Sequence, residues 1–128
     1  ATVFVDLNDF KPINDRFGHK IGDHVLRKVA DRLRDEVRIG DTVSRWAGDE
    51  FALIVEEATP ETVDQLIERL REQIAEPFEA DGLPLAVTAA FGAAYYPAEA
   101  SSSALLLELA DRRMYADKQS RKRNAPAD

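Results

Sequence analysis

Cysteine is absent from these 128 residues, so neither a disulfide nor a thiolate metal site is available. A reducing compartment is permitted by that absence, and a cytoplasmic location is expected. Long apolar runs are missing as well. The longest, Leu83 to Tyr96, is interrupted by Pro84, Thr88 and Gly92, too short and too broken for a membrane-spanning helix. No signal-peptide pattern opens the chain. Positive charge is scarce: 17 Lys and Arg stand against 24 Asp and Glu, a net charge of −7. This deficit argues against a general nucleic-acid binder, which needs a basic surface for phosphate backbones. Any anionic ligand must be met by a metal ion, by backbone amides or by a local cluster of Lys and Arg.

What is present is the composition of a globular domain, 45% hydrophobic and 32% charged. At this length one domain spanning residues 1–128, with one full core, is expected. The most informative stretch is Val43 to Val55, where two apolar, β-rich runs flank a turn containing Gly48. That pattern predicts a tight hairpin. Asp49 and Glu50 would then stand side by side at its tip. Paired carboxylates held this way suit a hard divalent cation, although an isolated acidic turn is more often simply solvated. A third acid raises the functional reading. Asp6 ends the apolar, β-branched run Thr2 to Val5, which predicts a buried strand, and Lys11 follows after a short polar loop. If this strand neighbours the hairpin in one sheet, Asp6 and Asp49 converge on one metal.

The remaining segments alternate helix and strand. A short helix is expected over about Lys11 to Phe17, capped in the left-handed conformation by Gly18. Leu26, Val29, Ala30, Leu33 and Val37 give an amphipathic helix from about Gly22. Pro60 and Glu61 open another, with Val63, Leu66, Ile67, Leu70 and Ile74 on one face and Pro77 as its stop. Phe78 to Ala80 and Leu85 to Tyr95 read as strands joined around Asp81-Gly82. Ser101 to Ser103 cap a last helix to about Arg121, with Leu105, Leu106, Leu109, Ala110 and Met114 inward. Trp46 reads as strand or core packing, His19 as a loop hydrogen-bonder. The order predicts an α+β fold with a ferredoxin-like βαββαβ core: a mostly antiparallel central sheet flanked by helices.

Three segments resemble one family: Asp6 to Asp15 (DLNDFKPIND), Phe17 to Asp23 (FGHKIGD) and Ala47 to Phe51 (AGDEF). They look like successive signatures of the GGDEF family, the diguanylate cyclases, in order and spacing. The resemblance implies a fold related to nucleotidyl cyclase and polymerase palm domains. It implies the condensation of two GTP into cyclic di-GMP with release of two pyrophosphates, using magnesium or manganese. Asp6 and Asp49 would hold the metal with the Leu7 carbonyl, and Glu50 would complete that site or assist deprotonation of a 3′-hydroxyl. Asn14 and Asp23 would read the guanine edge. Backbone amides around Asp9 and Phe10, the turn at Gly48, and Lys11 and Lys118 would cradle the nucleotide, with Lys122 as a second basic residue if no gap is allowed.

Arg38-Ile39-Gly40-Asp41 matches the family's RxxD inhibitory site for the product, with Arg69 as a second contact from a neighbouring domain. Since one domain binds one GTP, the resemblance implies a homodimer. It also implies an upstream sensory or regulatory domain, and the chain lacks the Asp-x-Leu-Thr-x-Leu-x-Asn-Arg segment that ordinarily precedes the first strand. Ala47 replaces the first glycine of the signature. If only Gly48 takes positive φ, as at the third position of a type II turn, alanine is tolerated; if position 47 must also do so, a non-catalytic module binding GTP or cyclic di-GMP is the alternative.

Overall fold

The computed structural model describes residues 1–123, and for 122 and 123 the backbone alone. The elements are β1 (Thr2–Leu7), α1 (Phe10–Phe17), α2 (His19–Glu36), β2 (Thr42–Ala47), β3 (Glu50–Ile54), α3 (Pro60–Ala75), β4 (Phe78–Ala80), β5 (Leu83–Leu85), β6 (Ala89–Ala94) and α4 (Ser103–Arg123). The main sheet has the order β2-β3-β1-β6, with every pair antiparallel. Strands β1, β2, β3 and β6 with α2 and α3 form the expected βαββαβ core, to which α1, the β4-β5 hairpin and α4 are added.

Alternation along the central strand divides the interior in two. Val3, Val5 and Leu7 of β1 pack with α2 and α3, whereas Phe4 joins Ala52, Ala90, Ala94, Ala110 and Met114 under α4. β6 lines the α4 side with small residues, and this lets the helix lie close. A Cβ on Gly92 would fall 2.1 Å from the Met114 nitrogen and 2.2 Å from the Ala110 carbonyl oxygen. At the other end of that face Trp46, 54% exposed, packs edge-on against Phe4 with centroids 5.5 Å apart, so it is strand packing and not core.

An edge strand offers unpaired backbone groups, and β6 is one. Charged side chains cover it. Arg71 donates to the Ala89 carbonyl at 3.4 Å, the Phe91 N–H donates to Asp117 at 2.9 Å, and Arg113 donates to the Ala93 carbonyl at 2.8 Å.

Four local expectations are corrected. Helix α2 begins at His19, three residues before the expected start, because Gly18 (φ 91°, ψ 166°) caps both helices: its N–H closes α1 on the Asn14 carbonyl at 2.9 Å and it is the N-cap of α2. The expected strand over 85–95 is two strands: β5 pairs with β4, the chain leaves the ladder at 86–88, and β6 starts at Ala89. The break is fixed by Asn8, whose backbone N–H and side-chain amide donate to the carbonyl and hydroxyl of Thr88 at 2.8 and 2.9 Å. Leu105 points outward, 52% exposed. Gly48 takes the second turn position, not the third. Among the described residues no helix is long and apolar enough to cross a membrane.

Candidate functional site

The hairpin tip lies against the end of β1. Asp6 pairs in register with Glu50, and the Leu7 N–H donates to the Asp49 carbonyl at 3.2 Å. Ala47 pairs with Glu50, which leaves Gly48 and Asp49 as a two-residue loop. Only Gly48 in this loop has positive φ, +49°, so alanine at position 47 carries no backbone strain. A register shift between Arg45 and Ala47 bends β2, and Arg45 Nε donates to the Gly48 carbonyl at 2.9 Å, bracing the tip.

Asp6 is buried. Its Oδ2 accepts from Lys118 Nζ at 2.8 Å, across 112 residues of sequence, while Oδ1 is buried with no partner among the described residues. A buried carboxylate oxygen without a donor is costly. Beside it, burial and then the Asp6 charge push the Asp49 carboxyl above its ordinary value. Glu50 is also raised, by burial first and then by Asp6, Asp111 and Asp49. Lys118 is a single positive charge beside these carboxylates, and a hard cation on Asp6 and Asp49 would supply more; the orphaned Oδ1 fits that role. Among the described residues no group of three His, Cys, Asp or Glu side chains is placed to hold a metal, so Glu50 is not gathered into such a cluster with the other two. Glu50 is the cross-strand partner of Asp6 and shares the α4 side of the sheet with it.

The loop after β1 carries Asp9 in the left-handed region (φ 59°, ψ 29°) as N-cap of α1, with no side-chain cap bond. The first N–H groups of that helix are consequently available to an anion, and Phe10 and Lys11 occupy its first turn. Next to the loop is a cavity of about 600 Å³ whose cationic lining is Lys118, Arg121 and Arg71, facing Asn8 and Asp9. Arg71 was not singled out in the sequence, whereas Arg121 opens the basic run Arg121 to Arg123 at the expected end of the last helix. Both reach Asp117, at 3.2 and 2.9 Å, and Arg71 also lies 4.9 Å over the Phe91 ring. A charged residue on an otherwise apolar helix face is the one signal that marks Arg71. The Lys122 side chain lies outside the described residues.

Asn14 and Asp23 sit on facing helices. Asn14 Oδ1 is buried without a partner among the described residues and lies against Gly22, the residue before exposed Asp23. Asp23 borders a cleft of about 430 Å³ between α2 and β2, with an apolar floor of Leu26, Ala30, Val43 and Phe51 and a basic rim of Arg27, Arg34 and Arg45.

The RxxD segment forms a turn between α2 and β2. Asp41 braces it: Oδ2 accepts from the Arg38 N–H at 3.1 Å and Oδ1 from the Glu56 N–H at 3.0 Å, and its side chain is 3% exposed. Arg38 stays largely exposed while touching Asp41 and the Glu56 carbonyl. Arg69 pairs with Glu36 at 3.2 Å, which brings it to the same corner of the molecule.

Comparison with known proteins gives a consistent result. The family described as "Diguanylate cyclase, GGDEF domain" matches residues 1–124. MucR of Pseudomonas aeruginosa, a bifunctional diguanylate cyclase and cyclic di-GMP phosphodiesterase, is 38% identical over 115 residues, covering 90% of this chain and 17% of its own. The GGDEF domain of TpbB from the same organism superposes with a TM-score of 0.89 at 36% identity, over 93% of this chain and 70% of the other. The GGDEF domain of DgcB from Caulobacter crescentus, solved with cyclic di-GMP, gives 0.84 at 28%, over 93% and 71%. The chain thus spans about a sixth of the first curated relatives' length. By fold, by signature and by these matches, it belongs to the GGDEF domain family of diguanylate cyclases.

Proposed function

We propose that this domain condenses two GTP into cyclic di-GMP, releasing two pyrophosphates, as a cytoplasmic enzyme that works as a homodimer. The observation that carries this reading is the meeting of Asp6 and Asp49 beside Lys118, with one buried Asp6 oxygen left unpaired among the described residues. Magnesium or manganese held by Asp6, Asp49 and the Leu7 carbonyl would neutralise phosphate charge and acidify a ribose hydroxyl. Lys118, Lys11 and the amides at Asp9 and Phe10 bind the phosphate chain with Lys122, and Arg121, which lines the same cavity as Lys118, adds a further cation. Asn14 and Asp23 hold the guanine edge. Gly48 keeps the tip free of a side chain, and Arg45 holds it still. Glu50 takes the hydroxyl proton, directly or through water.

In each of the two steps a 3′-oxygen bonds to the α-phosphorus of the other nucleotide and the bond to the β-phosphate oxygen breaks. Each domain carries one GTP, so two must face each other. The rate per chain is therefore expected to rise with protein concentration before levelling off, and a rate per chain independent of concentration in a dilution series contradicts the dimer. Product inhibition would act through Arg38 and Arg69, with Asp41 released from its turn, and an upstream domain would set the spacing of the two catalytic faces. A second reading, a receptor module that binds GTP or cyclic di-GMP without turnover, rests on Ala47 alone. Incubation with GTP and magnesium, followed by chromatography, separates the two.

Acidification supplies a further check. Because the Asp49 and Glu50 carboxyls are raised, they take up protons at a higher pH than ordinary carboxyls and give up a cation sooner. Titrating manganese affinity against pH is expected to show weakening that begins above the usual carboxylate range, and this early loss should shrink in Asp49→Asn, where Glu50 alone of the two remains raised.

A further inference from the structure

Taking GTP as the nucleotide, as proposed above, we infer that Gly22 sets the guanine preference of the domain by leaving the space that the Asn14 amide fills. Gly22 is the fourth residue of α2 and does not have a positive φ, so its backbone gives no reason for glycine. Inside a helix glycine is worse than alanine, because it loses more chain entropy on folding. Something else must favour it here. A Cβ at this position would stand 2.0 Å from Asn14 Oδ1, 3.0 Å from its Cγ and 3.2 Å from Phe10 Cζ. Only the bare Cα admits the amide.

The same oxygen is buried and accepts no hydrogen bond among the described residues. No polar tether therefore fixes the amide from that side, and the shape of the α1-α2 contact does so instead. Asp23 follows Gly22 directly, so consecutive positions of one helix set both groups that meet guanine. A methyl at position 22 would turn the Asn14 side chain away, since its end is the movable partner, while leaving the helix free to form. Gly22 is a positioning residue: it acts through Asn14 and touches no nucleotide itself.

The test compares Gly22→Ala, Asn14→Ala and the double variant, using equilibrium binding of GTP and of ITP, which lacks the exocyclic amine, with thermal unfolding alongside. A lost base-edge pair is worth about 1–3 kcal/mol, roughly a fivefold to hundredfold change. Gly22→Ala is expected to weaken GTP by that factor and to bring the GTP-to-ITP ratio down to that of Asn14→Ala, with an unfolding midpoint at or above that of the parent. The double variant should bind no more weakly than either single one, and it keeps the test open if Gly22→Ala alone does not fold, because it restores the space. A parental GTP-to-ITP ratio in Gly22→Ala, or additive losses in the double variant, overturns the role of Gly22. A parent that binds neither nucleotide overturns the substrate reading itself, and the inference with it.

Discussion

Asp49→Asn is expected to lower cyclic di-GMP formation by about three orders of magnitude or more, as removal of several kcal/mol of charge stabilisation requires. The same substitution should stabilise the cation-free domain. Burial and the Asp6 charge raise the Asp49 carboxyl in the folded state, so the fold disfavours the ionised form. A group raised in this way contributes stability below its unfolded-state pKa and loses that contribution as pH rises through the folded value. At neutral pH the parent has already lost it, whereas asparagine never ionises. Thermal unfolding in a chelator at pH 7 should give a higher midpoint for Asp49→Asn, with the difference shrinking on acidification. Added manganese should reverse the order, since a ligand at a hundred times its dissociation constant stabilises the binding-competent protein by about 2.7 kcal/mol. A variant that loses activity and is also less stable without cations would make Asp49 a structural residue.

Gly92→Ala is expected to be the most damaging small substitution in the sheet. Its Cβ would meet backbone atoms of α4 at 2.1 and 2.2 Å, and backbone cannot rotate aside as a side chain can. The helix must lift from β6. Overpacking of this kind costs about 1–3 kcal/mol or more, and near the top of that range a domain of this size loses roughly 10 °C in unfolding midpoint. Because α4 also carries Lys118, the shift should draw its ammonium from Asp6 and weaken nucleotide binding as well. Gly92 has no positive φ, so a midpoint near that of the parent would contradict the close approach of α4 to β6.

The contrast with Gly22, where the obstructing atom is a side-chain end, shows why glycines alike in sequence differ in consequence. Much of the fold was legible because periodicity and punctuation agreed: β1, the hairpin, α2 and α3 all lie close to where their apolar spacing put them. The stretch 85–95 misled for a physical reason. Val87 is buried as the alternation requires, yet it lies outside the ladder, and burial period alone does not distinguish the two. Leu105 failed differently: it lies in the first turn of α4 and is exposed, whereas Ala110 and Met114 further along the same helix are buried. At the site, the strand and hairpin placed Asp6 near Asp49 from sequence. The reach of Lys118 to Asp6, the clamp of Arg71 and Arg121 on Asp117, and the brace of Arg45 on Gly48 depend on sheet order and helix docking. No local pattern encodes those. Asp41 shows the opposite case, since its motif suggested a free ligand and the Arg38 and Glu56 N–H groups consume both of its oxygens.

The central claim is that Asp6 and Asp49 serve the condensation of GTP. The most direct measurement is chromatography of the nucleotides formed when the protein is incubated with GTP and magnesium, beside an Asp49→Ala control. Cyclic di-GMP from the parent and none from the control is the predicted result. A parent that makes no cyclic di-GMP, yet binds it tightly, would contradict the claim and leave a receptor in place of an enzyme.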